Sequence, residues 1–379
     1  MATIRWKRTL ACLISAGASI ASQAAAAQEL SEGLNERIAL APFRETSETC
    51  APPIGKSRTL LFLQDNERDF MVGVHRGLAA AAANRGLQYQ RLLAQNDSNV
   101  MNSNAENAKE NNAGAVVVAP IDSVSLAPRL KALLREGVFV GAIVPPPATL
   151  ILNAPQFQTG TLLGEAAARH IETKLNGKAR VVILTHDTNQ YLAPRFSAIR
   201  KALKKAPGAI VIADISPMTV DRKGGYDVMQ KILLASPRID VVLGADAVVL
   251  GALDAVRKAG AVHKDQFFGG IDGEPDALKE LRKHGEYKAT VSLSSPVFAY
   301  AMGQYAADWL EGKSIPQAMD ILPRLVTVET LAAFEADSAE PSAVYADRAR
   351  QESYLRKYGN ICAEFRDRFI NFPWSSETK

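Results

Sequence analysis

Short apolar runs alternate with helix-length amphipathic stretches along most of this 379-residue chain. The runs are rich in β-branched residues, are bounded by turn residues and are too short to form helices, so they predict strands. The predicted strands are Thr59–Leu63, Tyr89–Leu93, Ala115–Ala119, Val138–Ile143, Arg180–Leu184, Ile210–Ile215, Val241–Gly244, Phe267–Ile271 and Ala289–Leu293. The predicted helices are Phe70–Arg85, Val124–Arg135, Gly164–Leu175, Gly225–Leu234 and Ala247–Lys258. Because proline is tolerated only in the first turn of a helix, Pro128 predicts that the second of these helices begins a few residues late.

The regular alternation of strand and helix indicates the fold class. It predicts parallel sheets covered by helices on both faces, and right-handed crossovers then give doubly wound domains. Nine strands fit two sheets better than one, and a chain of about 350 residues after export suggests two domains on size alone. We therefore expect an α/β protein with two doubly wound parallel-sheet lobes.

The N-terminus has the three regions of a secretory signal peptide. Arg5, Lys7 and Arg8 form a basic start, an apolar stretch follows over residues 10–21, and small residues lead up to Ala27. The apolar stretch is too short for a membrane span, which requires roughly 20 apolar residues. We predict cleavage after Ala27 and a periplasmic location, with an uncleaved anchor as the alternative.

Export changes both the charge and the cysteine count. Cleavage would remove three positive charges and no acidic ones, so the formal net charge falls from +4 to +1. This balance suggests no nucleic-acid or membrane-surface partner. Of the three cysteines, Cys12 would be lost, and Cys50 and Cys362 would remain. An oxidising compartment predicts that these two form a disulfide, with two free thiols as the alternative.

Polar residues follow most of the predicted strands. In doubly wound sheets, ligands bind in the crevice beyond the carboxyl ends of the strands, so these residues are candidate ligand contacts. They are Gln64, Asp65, Asn66, Arg68, Asp122, His186, Asp187, Asn189, Asp246, Asp272, Glu274, Ser294 and Ser295. Converging donors and acceptors of this kind suit a polyhydroxylated or zwitterionic solute.

Three stretches carry a resemblance to a known family. They are Thr59–Gly77, the segment Asp221–Leu253 with its DVVLGADAVVLGAL run, and Gly269–Asp276 followed by Tyr287–Val291. In this order and spacing they resemble the periplasmic sugar-binding proteins of ABC importers, of the ribose-binding type, over roughly residues 57–318. The leader and the chain beyond about residue 330 lie outside the resemblance.

The resemblance implies a type I periplasmic binding protein, with two similar α/β lobes joined by a three-segment hinge. The expected segments are a signal peptide (1–27), a leader (28–56), a first lobe (57–155 plus 296–318), a second lobe (156–295 plus 319–330) and a C-terminal appendage (331–379) packed on the surface. The lobes are expected to close on the solute, and the closed form, a monomer, is expected to dock on a membrane permease. No cofactor or metal is expected.

The resemblance also implies which residues bind the solute. They are Gln64, Arg68 and Phe70 of the first loop and Arg195, Asp272 and Ser294 of the second lobe. The rule about strand ends adds Asp65 and Asp246 to these predicted contacts. The same residues have ordinary alternatives. The aspartates could cap helices or stabilise turns, the arginines could be solvated, and Phe70 could belong to the core.

Three positions depart from the ribose-binding pattern. Ile143 and Val144 replace an aspartate–arginine pair, Val220 replaces an aromatic ring, and Ala245 replaces an asparagine. These departures disfavour a plain ribose-like sugar. Two arginines facing Asp272 would instead suit an anionic or mixed-charge solute, because arginine pairs bidentately with carboxylates.

Other functional classes fit the sequence less well. The five histidines have no H-x-x-x-H spacing, and neither a G-x-S-x-G elbow nor a phosphate loop occurs, so an enzyme is not expected. A sensor subunit of the same fold, which docks on a receptor kinase, is the main alternative and is motivated by the C-terminal extension. A repressor core would need DNA-binding helices where this chain has its signal peptide.

Overall fold

The computed structural model describes residues 33–36, 38–45, 50–143, 147–186 and 191–377. The predicted signal peptide over 1–27 and the candidate residues Val144, Asp187 and Asn189 lie outside the described residues. Among the helices of the described ranges, none combines the length and the apolar character that a bilayer-spanning segment requires.

Two sheets, numbered by strand along the chain, form the frame of the protein. The first contains β1 (Thr59–Gln64), β2 (Gln88–Leu93), β3 (Ala115–Val118), β4 (Phe139–Ile143), β5 (Leu150–Asn153), β11 (Ala318–Ile321) and β13 (Leu355–Tyr358), in the order β13–β11–β5–β4–β3–β1–β2. The second contains β6 (Lys178–Leu184), β7 (Gly208–Ile215), β8 (Val241–Leu243), β9 (Phe267–Asp272), β10 (Tyr287–Ser292) and β12 (Arg324–Val326), in the order β12–β10–β9–β8–β6–β7. Only β12 and β13 run antiparallel to their neighbours among these strands.

Helices cover both faces of each sheet. They are α1 (Asp69–Arg85), α2 (Ser98–Glu110), α3 (Ser123–Arg135), α4 (Gln156–Lys174), α5 (Ala193–Leu203), α6 (Arg222–Ala235), α7 (Asp246–Lys258), α8 (Pro275–Arg282), α9 (Ser295–Leu310), α10 (Leu331–Ala339), α11 (Pro341–Ala346) and α12 (Arg348–Tyr354), with a 3-10 helix at Ala363–Arg368. Each sheet has a buried apolar core on either side. The predicted architecture of two doubly wound α/β lobes is confirmed.

The local predictions recover all nine expected strands and the five expected helices but miss other elements. The short strands β5, β11, β12 and β13 were not predicted, nor were long helices such as α2 and α9. The late start predicted for the helix containing Pro128 is wrong. The Asp122 carboxylate accepts hydrogen bonds from the N–H groups of Val124 (3.0 Å) and Ser125 (3.3 Å), so α3 begins at Ser123 and Pro128 lies inside it.

Three segments connect the lobes, after β5, β10 and β11, as the resemblance implies. The third connection comes later than expected. Residues 318–320 pair with β5 in the first sheet, and β12 pairs with β10 in the second. The boundary expected after residue 318 therefore lies after Ile321, because the whole of β11 completes the first sheet.

The C-terminal extension is not confined to the surface. Its strand β13 pairs with β11, and Ile370 forms a bridge with Ala148. The side chains of Phe369, Ile370 and Trp374 are buried in a core of the first lobe. A local sequence pattern could not show this, because the pairing joins segments that are distant along the chain.

A disulfide fixes the extension to the leader. Cys50 and Cys362 are bonded, with a Cα–Cα distance of 5.5 Å, as predicted. Beside the bridge, the N–H of Ala51 donates a hydrogen bond to the Glu364 carboxylate at 2.5 Å. The leader and the extension are therefore joined to each other at the outside of the first lobe.

Candidate ligand-binding cleft

A cleft of about 790 Å³ lies between the lobes, at the carboxyl ends of strands from both sheets. Residues of the first lobe that line it include Asp65, Arg68, Phe70, Pro120 and Ile143. Residues of the second lobe and the connections include Gln156, His186, Tyr191, Arg195, Asp272 and Glu274. This placement agrees with the rule that ligands bind beyond the strand ends of doubly wound sheets.

Arg195 projects from the first turn of α5 and is almost fully buried, with 5% of its surface exposed. Helix α4 can approach α5 closely because Gly160 has no side chain. A Cβ at this position would lie 1.8 Å from the Arg195 carbonyl oxygen. The Arg195 Nε donates a hydrogen bond to Gln156 Oε1 at 2.7 Å, and its Nη1 lies 3.8 Å from Asp272 Oδ1. Burial lowers the pKa of Arg195, and the carboxylates of Asp272 and Asp246 oppose this shift.

Asp272 ends β9 in a strained backbone conformation, with a φ of 120°. Non-glycine residues rarely adopt such angles, and they concentrate at functional sites. The alternative role as a helix N-cap does not apply, because the N-cap of α8 is Glu274. Burial raises the pKa of Asp272, while Arg195 and Arg68 act to lower it.

Asp246 is fully buried and lies outside the cleft lining. Its carboxylate accepts hydrogen bonds from the Tyr287 hydroxyl (2.6 Å), the Thr290 hydroxyl (2.8 Å) and the Glu274 N–H (2.8 Å). Capping is not its role either, because the N-cap of α7 is Ala245. Burial, followed by repulsion from Asp272, raises the pKa of Asp246 to about 6.

Glu274 is a half-buried carboxyl group at the cleft wall, two residues beyond Asp272. Burial raises the pKa of Glu274 to about 8, and the carboxylates of Asp246, Asp272 and Asp69 add to this effect, whereas Arg68 opposes it. The second lobe therefore presents an arginine and two carboxyl groups to the cleft, with a third carboxylate directly beneath them.

The first lobe contributes a more open pair of charges. Arg68 Nη2 lies 3.1 Å from Asp65 Oδ2, and the Arg68 side chain is 61% exposed. Burial raises the pKa of Asp65, and Arg68 opposes that shift. Phe70 lines the cleft and also packs against Phe298, with ring centroids 5.9 Å apart, so it is both a cleft wall and a part of the core.

The model of the family described as the periplasmic binding protein domain matches residues 60–314. The chain belongs to this family. Two lobes with a cleft between them are the arrangement that the resemblance implied. The C-terminal extension lies beyond the matched residues.

Several periplasmic binding proteins are similar to this chain. The ribose import binding protein of Bacillus subtilis (strain 168) is 29% identical over 273 residues, which are 68% of this chain and 83% of that protein. The myo-inositol binding protein of Caulobacter, solved with myo-inositol, is 26% identical with a TM-score of 0.61, and the match covers 74% of this chain and 97% of that one. An ABC transporter solute binding protein of Bacillus halodurans C-125, solved with myo-inositol, shares the fold at 22% identity and a TM-score of 0.64, covering 77% and 99%. Members of this family are solute-binding proteins, not enzymes.

Five of the eight predicted ligand contacts line the cleft of this periplasmic binding protein, namely Asp65, Arg68, Phe70, Arg195 and Asp272. Gln64, Asp246 and Ser294 do not line it, and each of these side chains is buried elsewhere in the lobes. Gln64 ends β1, where its amide nitrogen donates to the Asn66 carbonyl. Ligand contact by any of the eight remains a prediction.

Several cleft residues were missing from the predicted contacts, among them Tyr191, Gln156 and Glu274. Glu274 was noted among the polar residues after the strands but was not assigned a contact with the solute. Gln156 was not noted, although it directly follows the first connection between the lobes and holds Arg195. A connection between lobes borders the cleft in this fold, and that position was the available signal.

Proposed function

We propose that this chain is the solute-binding component of an ABC importer, that it captures one small polyhydroxylated solute between its lobes, and that it delivers the solute to a membrane permease. The observation that carries this proposal is the two-sided lining of the cleft. Asp65, Arg68 and Phe70 come from one lobe, and Arg195 and Asp272 come from the other. A solute that contacts both sets is bound best when the lobes close, so binding and closure are coupled.

The composition of the cleft supports a sugar-like solute. A few convergent charged groups beside apolar walls such as Phe70 and Ile143 are typical of sites that orient polar ligands. The named relatives import ribose or were solved with myo-inositol, which are small polyhydroxylated molecules. We also propose export to the periplasm by a signal peptide that is cleaved after Ala27. Mass spectrometry of periplasmic material tests this cleavage. A sensor subunit remains an alternative that no specific feature favours.

A thermal-shift screen of sugars, cyclic polyols, sugar acids and amino sugars tests the proposal directly. A solute at 100 times its dissociation constant stabilises the folded protein by about 2.7 kcal/mol. Arg195→Ala should weaken binding of the best solute at least about tenfold, or roughly 1.4 kcal/mol, while circular dichroism reports a folded chain. Arg169→Ala, an exposed position on α4, is the matched control. If no solute raises the melting temperature, or if a bound solute is converted into a product, the proposal is wrong.

A further inference from the structure

The carboxyl groups of the cleft differ in their partners, because Asp65 and Asp272 each lie beside an arginine and Glu274 does not form such a pair in the described ranges. Within the described residues, the Glu274 carboxyl group has neither a hydrogen bond nor an ion pair, although it is half-buried at the cleft wall. Its backbone N–H is fixed to Asp246, so the side chain starts from an anchored position. Once ionised, this carboxyl group can only accept hydrogen bonds from a solute.

The two arginines of the cleft have partners in the protein. Arg68 Nε donates to Asn66 Oδ1 at 2.9 Å, and its Nη2 pairs with Asp65 at 3.1 Å. Arg195 Nε donates to Gln156 at 2.7 Å, and Nη1 faces Asp272. A solute anion, which the sequence favours alongside a mixed-charge solute, would have to compete with Asp65 and Asp272 for these arginines.

Two further polar atoms beside the cleft are without partners in the described part of the chain. Gln64 Oε1 and Ser294 Oγ are both buried and make no hydrogen bond there. Gln64 directly precedes Asp65, and Ser294 directly follows Leu293, and both of those neighbours line the cleft. An amide oxygen can only accept a hydrogen bond, and a hydroxyl can accept one as well. Neither side chain lines the cleft, so the demand for donors at the cleft wall is that of the Glu274 carboxyl group.

From this imbalance we infer that the solute carries a positively charged amino group in addition to its hydroxyls, and that Glu274 binds the ammonium. The inference rests on the proposed function and specifies the solute class, an amino sugar or an aminocyclitol. An ammonium group supplies three donors and no acceptor, which matches the unpartnered carboxyl group of Glu274. Beside Asp272, a cation also relieves the repulsion between neighbouring carboxylates.

Binding of such a cation must expel a proton from the protein. Because burial raises the pKa of Glu274 to about 8, the empty cleft holds this carboxyl group mainly protonated at pH 7. An ammonium stabilises the carboxylate, so the proton leaves to solvent as the ion pair forms. The charged and titratable groups that face Glu274 are Asp69, Arg68, Asp246, Asp272 and Tyr287. A neutral polyol would leave the proton in place.

Isothermal titration calorimetry of the full mature chain tests the inference with matched pairs of solutes. The probes are myo-inositol with an aminodeoxy-inositol, D-glucose with D-glucosamine, and D-galactose with D-galactosamine, in two buffers of different ionisation enthalpy. In at least one pair, the amino member should bind at least about tenfold more tightly at pH 7 and release a proton. Its affinity should also rise from pH 6 to pH 8.

Glu274→Gln should abolish both the preference and the proton release but retain binding of the neutral member within a few fold. Glu110→Gln, exposed on α2 of the other lobe, should change neither. If neutral members bind as tightly as amino members, or if the preference survives in Glu274→Gln, the inference is overturned and the proposed function stands. If neither class binds, the proposed function fails and the inference fails with it.

Discussion

The outer edges of the two sheets are built differently. In the first lobe, β13 covers β11, and the opposite edge strand β2 exposes polar residues such as Gln88 and Gln90. In the second lobe, β7 is an uncovered eight-residue edge on which Ile210 is 64% exposed and Ile215 is 44% exposed. Strand β13 and the disulfide therefore complete only the first lobe, although helix α10 of the extension packs on the second.

The lobes also differ in where they hold buried charge. The second lobe contains Arg195, Asp246 and the strained Asp272 in or beneath the cleft. The corresponding charges of the first lobe, Asp65 and Arg68, pair at the cleft mouth, where Arg68 remains exposed. The extension thus adds a strand and buried aromatic side chains to the first lobe, whereas the second lobe holds buried charged groups in or beneath the cleft.

The largest effect is expected where the extension enters the first lobe. Trp374 is 8% exposed, and its ring lies 5.1 Å from that of Tyr358 on β13. Trp374→Ala should lower the free energy of unfolding by about 3 kcal/mol, because it leaves a cavity in a core. Denaturant unfolding measures this change. Phe365→Ala, whose side chain is 49% exposed, should change it by less than about 1 kcal/mol. Equal effects would mean that the extension only coats the surface.

A smaller effect, dependent on pH, should appear in the second lobe. The folded-state pKa of Asp246 is about 6, above an unfolded value of about 3.9. The native state therefore binds more protons than the unfolded state between these values, and stability should fall by about 2–3 kcal/mol as pH rises from about 4 to 6. Chemical denaturation across this range should show less decline in Asp246→Asn than in the natural chain.

The control for this comparison is Asp227→Asn, an exposed position on α6 of the same lobe. It should keep the pH dependence of the natural chain. Asp246→Asn replaces one carboxylate oxygen with an amide nitrogen, which accepts no hydrogen bond. That variant therefore also loses an acceptor for the bonds that Asp246 receives, so the slope with pH is the informative quantity. Identical slopes in all three chains would show that Asp246 does not bind the extra proton.

Features that depend on local sequence could be predicted, whereas features that depend on remote neighbours could not. The nine predicted strands followed from periodicity, and the cleft position of Asp65 and Asp272 followed from the rule about strand ends. The cleft position of Arg195 followed from the family resemblance. The burial of Asp246 could not be predicted, because the position after a strand does not fix the direction of the side chain. The pairing of β13 with β11 joins remote segments, and the free carboxyl of Glu274 depends on neighbours from two elements.

The smallest expected effect concerns the contacts through which the extension joins the two lobes. Helix α10 packs in the core of the second lobe through Leu331 and Phe334, and Tyr354 on α12 lies in the core of the first. The Tyr354 hydroxyl donates to Asp337 on α10 at 2.5 Å. The structure has this interlobe bond together with an exposed Arg68, as expected of lobes that have not closed on a solute. We therefore expect the bond to resist closure of the lobes.

Tyr354→Phe removes the hydroxyl but keeps the ring, which also supports the Arg324 guanidinium 4.3 Å from its centroid. Loss of one partly exposed bond to a carboxylate should lower stability by about 1 kcal/mol. If the bond opposes closure, the same change should tighten solute binding by up to about fivefold, as measured by calorimetry. Tyr226→Phe is the control, because that hydroxyl accepts a bond from Gln230 within α6. Unchanged affinity with lower stability would mean that the bond persists on closure, and weaker binding would mean that it favours the closed form.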